Sequence, residues 1–224
     1  MSNAMLSLQN GPGWPLLTGR TLATAVVVAV WFALVVLLGM TKAFVAPPGA
    51  LPLAIALGVT LPVGAFIAAL WLSQSFREFV LVADLRLLLA IQAWRFAGFG
   101  FLALYTYQAL PGLFAWPAGL GDIAIGLTAP WLLVALIRRP DFAATKTFVG
   151  WNLFGVLDLV VAVGTGALGS ALATGAAGEI TTRPMAELPL VLIPGFLVPL
   201  FIMLHVAALL QARRLARGST GRET

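Results

Sequence analysis

Residues 87–110 read LLLAIQAWRFAGFGFLALYTYQAL, an apolar run that is long enough to cross a bilayer as one helix. Arg95 lies well inside this run. At a rise of about 1.5 Å per residue, Arg95 is roughly 12 Å from the start of the run and far from water on either side. A guanidinium at that depth costs at least about 2.5–3.5 kcal/mol on insertion scales. The run therefore predicts a membrane helix whose arginine faces protein or a wet cavity, next to an acid.

Two aspartates, Asp122 and Asp158, lie comparably deep in other apolar runs. Asp158 is ten residues into a helix that rises from the cytosolic side, at a depth of roughly 15 Å, which is close to the depth of Arg95. We therefore expect direct or water-bridged contact between Arg95 and Asp158. Asp122 enters from the outer side, and we expect it to lie well above the other two residues.

The composition is that of a membrane protein. The chain is 61% hydrophobic and 9% charged, whereas soluble domains carry about 25% charged residues. The composition and the apolar runs predict an all-α fold. The expected protein is a polytopic membrane protein, with a bundle of six transmembrane helices in a single domain covering residues 1–224. The predicted spans are residues 21–40, 51–72, 87–110, 118–137, 148–168 and 188–210. We expect residues 73–86 to form an interfacial helix and residues 166–187 to be mainly a loop.

The first four residues, Met1 to Ala4, precede a second methionine and are typical of a cloning scar, so we expect the natural chain to begin at Met5. No charged segment followed by a small-residue cleavage site precedes the first apolar run. We therefore expect that run to be kept as a helix, with the N-terminus in the cytosol.

The basic residues predict the orientation. With a cytosolic N-terminus, ten of the 13 Lys and Arg residues fall on the inner side, Lys42 and Arg183 fall outside, and Arg95 lies within the membrane. This bias predicts cytosolic N- and C-termini and a multi-pass protein of the inner (plasma) membrane. Because the basic residues flank apolar runs, the net charge of +5 indicates membrane orientation and no nucleic-acid partner.

Several kinds of chemistry lack the residues that they need. The chain has no cysteine, which excludes thiol redox chemistry and thiolate ligands. No serine lies in a predicted span, and no HExxH or P-loop motif is present, so neither a serine nucleophile nor a metal site is predicted. His205 is the one histidine and cannot give the paired ligation common in membrane haem proteins. The sequence leaves any cofactor undetermined.

A set of polar residues lies inside the last four runs and is the candidate substrate or ion pathway. Its members are Gln92, Arg95, Asp122, Asn152, Asp158 and His205. The alternative is that Arg95 and Asp158 form a structural ion pair that fixes helix packing. Asp122, within two turns of the predicted helix start, has the alternative role of binding exposed amides there. At 100° per residue, Gln92, Arg95 and Thr106 share one helix face.

Gly119-Leu120-Gly121-Asp122 resembles the GxGD signature of intramembrane aspartyl proteases, which pair that aspartate with a second one on a neighbouring helix. The resemblance implies an enzyme using Asp122 and Asp158. In the signal-peptide-peptidase branch the partner aspartate precedes this helix and a Pro-Ala-Leu motif follows it. Here Asp158 comes after the helix and no Pro-Ala-Leu occurs. An arginine between the two carboxylates would also oppose the shared proton that this chemistry needs.

A short repeat, G-x-x-D followed by Ile or Leu, occurs at Gly119/Asp122 and at Gly155/Asp158. Because the two helices are predicted to run in opposite directions, the repeat suggests an inverted pair, a pattern found in transporters. The sequence favours a small carrier or channel for a proton, ion or small polar solute, in contact with the lipid bilayer. The alternatives are an intramembrane enzyme or a cofactor- or lipid-binding protein, and a structural or partner-binding subunit. Small-residue faces permit an oligomer.

Overall fold

The computed structural model describes residues 19–220, and over these residues the chain is all-α, with no β-strand. We number the α-helices in chain order. They are α1 (Gly19–Met40), α2 (Leu53–Leu72), α3 (Gln74–Leu81), α4 (Leu85–Gln92), α5 (Phe99–Thr106), α6 (Gly112–Arg138), α7 (Lys146–Ala171) and α8 (Val198–Thr220). Short 3₁₀ segments cover Ala93–Gly98, Pro140–Ala144 and Arg183–Ala186, and one π-helical turn covers Ile193–Leu197.

Within the described residues, six helical stretches are long and apolar enough to cross a membrane. Large apolar side chains are exposed on their outer surfaces, for example Val27, Leu120 and Trp131, which are 66%, 53% and 68% exposed. In water such a surface would associate, whereas in a bilayer it contacts lipid chains. The predicted all-α fold is confirmed, together with six helices that are long and apolar enough to span a membrane. The expectation for Met1–Ala4 falls outside the described residues.

The bundle is built around α8. Over its most apolar window 56% of the residues of this last span are buried, against 11% for both α1 and α2. The face of α8 toward the other helices carries Phe201, His205 and Ala208, all of which are buried. Since α8 contacts α2, α4 and α7, side chains from several spans meet along it. A polar group on this face, such as His205, is therefore shielded from lipid.

The third span is not a regular α-helix. It runs from α4 through the 3₁₀ segment Ala93–Gly98 into α5. A 3₁₀ turn has about three residues instead of 3.6, so side chains after it are rotated away from the face that α-helical spacing predicts. Gln92 and Arg95 are buried as expected, but Thr106 is exposed and bonds to the carbonyl of Ala103. The prediction that Thr106 shares their face was wrong.

The helix ends differ from the predicted ones where proline or a special backbone conformation intervenes. The third span ends at Thr106 and not at 110, and Gln108 then adopts a left-handed conformation with φ 58°. α6 begins six residues earlier than predicted, at Gly112 directly after its N-cap Pro111, and Pro117 is accommodated inside the helix. α7 continues to Ala171, beyond the predicted end at 168.

The last span begins later and ends later than predicted. Residues 188–191 form turns, helix begins at Leu192, and the π-helical turn Ile193–Leu197 leads into α8. At the other end the helix continues past 210 through polar residues to Thr220, because the end of an apolar run does not itself stop a helix. The segment 73–86 is helical over Gln74–Leu81 as expected, with Ser73 as its N-cap. Gln211 of α8 donates to the carbonyls of Val80 and Ala83 and ties down the end of that helix.

Glycines bring α6 against the 3₁₀ segment of the third span. A Cβ on Gly126 would collide with the backbone of Phe96, and one on Gly98 would lie 2.8 Å from the carbonyl oxygen of Gly119. Any larger residue would push the two helices apart. Small residues on α6 are therefore used for close helix approach. This contact carries Arg95 to the side of α6 on which Asp122 lies.

Candidate functional site

Arg95 is the centre of a buried polar cluster, and its side chain is fully buried. Its Nε–H donates to Oδ1 of Asp122 at 2.6 Å, and its Nη2 donates to Oδ2 of Asp158. Nη1 donates to the carbonyl of Gly155 at 3.3 Å and contacts Nε2 of His205 at 3.2 Å. Four of the five N–H donors of a guanidinium are thus directed to acceptors from α6, α7 and α8.

The ion pair predicted between Arg95 and Asp158 is present. The expectation that Asp122 lies well above it was wrong, since Asp122 contacts the same guanidinium. The reason is the earlier start of α6 at Gly112, which places Asp122 about three turns into the helix. At that depth the alternative role at a helix start also fails, because exposed amides occur only in the first turn.

His205 continues the cluster on the side away from the aspartates. Its Nδ1 lies 2.9 Å from Oδ1 of Asn152, whose Nδ2 donates to the carbonyl of Phe148 at 2.9 Å. A guanidinium can only donate, so Nε2 of His205 has to accept from Arg95. The proton then lies on Nδ1, which donates to Asn152. These hydrogen-bond directions assign a neutral imidazole with its proton on Nδ1. Asn152 joins the cluster even though it lies about 120° around α7 from Asp158.

Aromatic rings and two glycines shape the walls of the cluster. The Trp151 ring packs edge-on against the imidazole of His205, with 5.5 Å between centroids, and the Phe201 ring lies 5.9 Å from Cζ of Arg95. A Cβ on Gly155 would collide with the His205 ring, and one on Gly121 with the carboxylate of Asp158. Sequence reasoning missed the contributions of Phe201 and of the Gly155 carbonyl. The glycine of the repeated G-x-x-D pattern was the available signal for Gly155.

Gln92 lies beside the cluster without joining it. Its Nε2 donates to the carbonyl of Phe201 at 3.4 Å, and no hydrogen bond to Arg95 or to either aspartate is found. Its Oε1 is buried and has no hydrogen-bond partner among the described residues. All six predicted site residues are therefore found in one region, with five of them in a connected network and Gln92 adjacent to it.

Two cavities have Asp122 in their walls. The first, of about 280 Å³, runs from Asp122 past Phe114 and Ala162 to the connections at one end of the bundle, where Pro48 and Glu179 lie. The second, of about 290 Å³, lies between the third span and the start of the last one, and includes Arg95. Asp122, Phe101 and Ile193 line both cavities. Asp122 is also the more accessible acid, with 16% of its side chain exposed against 5% for Asp158.

The arrangement limits the chemistry of the two carboxylates. The guanidinium of Arg95 binds both of them, whereas catalysis by an aspartate dyad requires that two carboxyl groups share a proton. One guanidinium carries one positive charge and can neutralise only one carboxylate. The fully ionised cluster would therefore carry one negative charge in excess. Within residues 19–220, no group of three or more His, Asp or Glu side chains is arranged to hold a metal ion.

A comparison with protein families gives a match. Residues 52–213 match the family described as a domain of unknown function, DUF8737. The matched segment contains every polar residue of the cluster and leaves out α1, which lies at the periphery of the bundle. Neither the curated proteins nor the solved structures give a match. The chain is therefore a member of the DUF8737 family.

Proposed function

We propose that this protein is a small carrier or channel of the inner (plasma) membrane, and that it moves a proton, ion or small polar solute through the cluster around Arg95. The observation that carries the proposal is the position of Asp122, which lines two cavities and binds a buried guanidinium. Intramembrane charges that only fix packing have no need of an access path. Here the first cavity leads to the carboxylate of Asp122.

Charge balance favours a cation or proton among these solutes. Two carboxyl groups face one guanidinium, so the fully ionised cluster carries one negative charge more than it can neutralise. An uncompensated charge in a low-dielectric interior is costly, and a bound proton or cation removes that cost. Asp122 is the acid that both cavities reach. A proton and a cation would compete for it, which is the basis of an exchange mechanism.

The charge pattern supports an orientation. With both termini in the cytosol, the first cavity opens toward the outer side, where the α1–α2 and α7–α8 connections lie. Ser170 donates to the carbonyl of Ala50 at 3.0 Å and joins the end of α7 to the α1–α2 connection. In this orientation a solute entering from outside would pass Glu179 and descend along α7 to Asp122.

The alternatives explain fewer of the observations. A proteolytic enzyme using Asp122 and Asp158 would need a proton shared between carboxyl groups that Arg95 instead binds separately. A purely structural subunit would explain the ion pairs, but it gives no role to the two cavities that Asp122 lines. A carrier accounts for both features.

The test is solute flux in proteoliposomes that contain a trapped pH-sensitive dye, challenged in turn with K⁺, Na⁺, choline and guanidinium. We expect at least one cation to drive proton movement, and Asp122→Asn to abolish it. The matched control is Asp141→Asn, since Asp141 lies exposed in the connection between α6 and α7, outside both cavities. Folded protein that moves none of the cations and no protons would refute the proposal, as would an Asp122→Asn variant with full flux.

A further inference from the structure

The second cavity opens on the side of the bundle and not at its end. Its walls are apolar, and they include Ile91, Trp94, Ala97, Leu197, Leu200 and Phe201. Trp94 is 74% exposed and Ala97 is also exposed, so this wall faces outward in the middle of a membrane-spanning segment. In a bilayer the surroundings at that place are lipid chains. We call this cavity the lateral cleft.

The inner end of the lateral cleft is polar and acidic. It reaches Arg95 and Asp122. Arg95 already directs four of its N–H donors to Asp122, Asp158, Gly155 and His205, so it has little left to offer an anion. The carboxylates outnumber the guanidinium by one. A cationic group is therefore the head group whose charge complements this end of the cleft.

We propose that the lateral cleft binds a single-chain amphiphile with a cationic head group, which enters from the bilayer and places its charge at Asp122. The inference rests on the proposed carrier function and narrows its solute to a lipophilic cation. The apolar walls accommodate the chain, and partition of that chain into the bilayer concentrates the amphiphile beside the cleft. A small hydrophilic cation lacks this contribution.

Binding is tested with the full chain in nanodiscs by equilibrium dialysis, with empty nanodiscs subtracted. The probes are decyltrimethylammonium, decyl sulfate, which has the same chain and the opposite permanent charge, and tetramethylammonium, which has no chain. We expect saturable binding of decyltrimethylammonium, with the other two probes at least about tenfold weaker. Equal binding of decyl sulfate, or no binding of decyltrimethylammonium above empty nanodiscs, would overturn the inference.

Two variants locate the bound probe. Asp122→Asn removes the charge and should weaken decyltrimethylammonium binding by about tenfold or more, whereas Asp141→Asn should leave it unchanged. Ala97→Phe fills the cleft without touching the ion pairs and should give a similar loss, with Ala103→Phe as its control because Ala103 is exposed on the same span but outside the cleft. Full binding by the Ala97→Phe variant would overturn the lateral site even if the Asp122 variant fails to fold.

The two proposals fail separately. If small cations are transported but decyltrimethylammonium does not bind, the lateral site is wrong and the carrier function stands. If decyltrimethylammonium binds in a manner that depends on Asp122 and Ala97 but no solute crosses proteoliposomes, the carrier function is wrong and the binding site stands.

Discussion

Asp122 accepts a 2.6 Å hydrogen bond from Nε of Arg95, while Nη2 of the same guanidinium donates to Asp158. Two acids from consecutive helices thus hold one arginine of a third span. This relationship turns a simple ion pair into a cluster with one carboxylate in excess. The excess carboxylate is also the one that the two cavities reach.

Removing Arg95 should leave both aspartates without a compensating charge. We expect Arg95→Ala to lower the free energy of unfolding by about 3–5 kcal/mol, since each carboxylate loses its compensating charge. Adding Asp158→Ala should recover part of the loss, with a coupling energy of about 0.5–3 kcal/mol, and adding Asp122→Ala as well should recover more. Reversible unfolding in detergent with increasing SDS measures these values. Strictly additive losses would contradict the contacts described here.

The same variants separate packing from function. If the triple alanine variant regains stability but moves no solute and binds no cation, the cluster is a site. If stability and flux both return, the charges serve packing only.

Gly155 should not tolerate a methyl group. Gly155→Ala places a Cβ into the imidazole of His205, whereas Gly150→Ala in the same helix meets nothing within 4 Å. We expect the first change to destabilise the protein by about 1–3 kcal/mol through overpacking, and to weaken cation binding by displacing His205. The second should be neutral or stabilising by up to about 1 kcal/mol. Thermal unfolding of the two variants provides the comparison, and equal melting temperatures would show that α7 and α8 are farther apart.

The hydrogen-bond directions fix the tautomer of His205. We expect ¹⁵N NMR of histidine-labelled protein at pH 7 to show a protonated Nδ1 and an unprotonated Nε2, because Nε2 faces an Arg95 donor and Nδ1 faces Oδ1 of Asn152. Asn152→Leu removes the acceptor for Nδ1 and should cost about 1–3 kcal/mol of stability. A protonated Nε2 in the wild-type spectrum would mean that Arg95 does not donate to His205.

Glu179 gives the loop at the cavity mouth a pH dependence. The backbone N–H of Thr174 is the main cause of a pKa for Glu179 below its usual value of 4.5, and the Thr174 hydroxyl and the Gly175 N–H lower the pKa further. A depressed folded-state pKa stabilises the loop above the unfolded value and loses that effect as pH falls through the folded value. Glu179→Gln should therefore lower the melting temperature at pH 7. The difference in melting temperature from the unchanged protein should vanish once the pH is below the folded-state pKa of Glu179.

The control for that experiment is Glu78→Gln, since a glutamine at position 78 can still accept from Gln74. If Glu179→Gln lowers the melting temperature by the same amount at pH 7 and in acid, the carboxylate charge has no part in holding the loop.

The proposed orientation is open to single-cysteine labelling, because the chain has no cysteine of its own. Cysteines at Arg139 and Arg214 should react only after the membrane is permeabilised, and a cysteine at Arg183 should react from outside. All three positions are exposed. Labelling of Arg183 from the cytosol together with Arg214 from outside would reverse the topology and place the first cavity on the inner side.

Some features followed from the sequence alone. Apolar length predicted six spans, and the cost of a buried guanidinium predicted that Arg95 would contact Asp158, as it does. These inferences work because hydrophobicity and the cost of burying charge act on each segment separately. The same reasoning picked out His205 and Asn152 as buried polar residues, since a polar group in an apolar run has to find a partner within the bundle.

The tertiary structure decided which of those groups meet. Asp122 reaches Arg95 because α6 begins at Gly112 and packs on the 3₁₀ segment through Gly98 and Gly126. The 3₁₀ turn changes the helical period and exposes Thr106. Contacts between spans decide where a helix starts, where the helical period changes and how closely two backbones approach. The pattern within one span does not contain these contacts. Those contacts between spans bring both aspartates to one arginine and leave cavities open beside it.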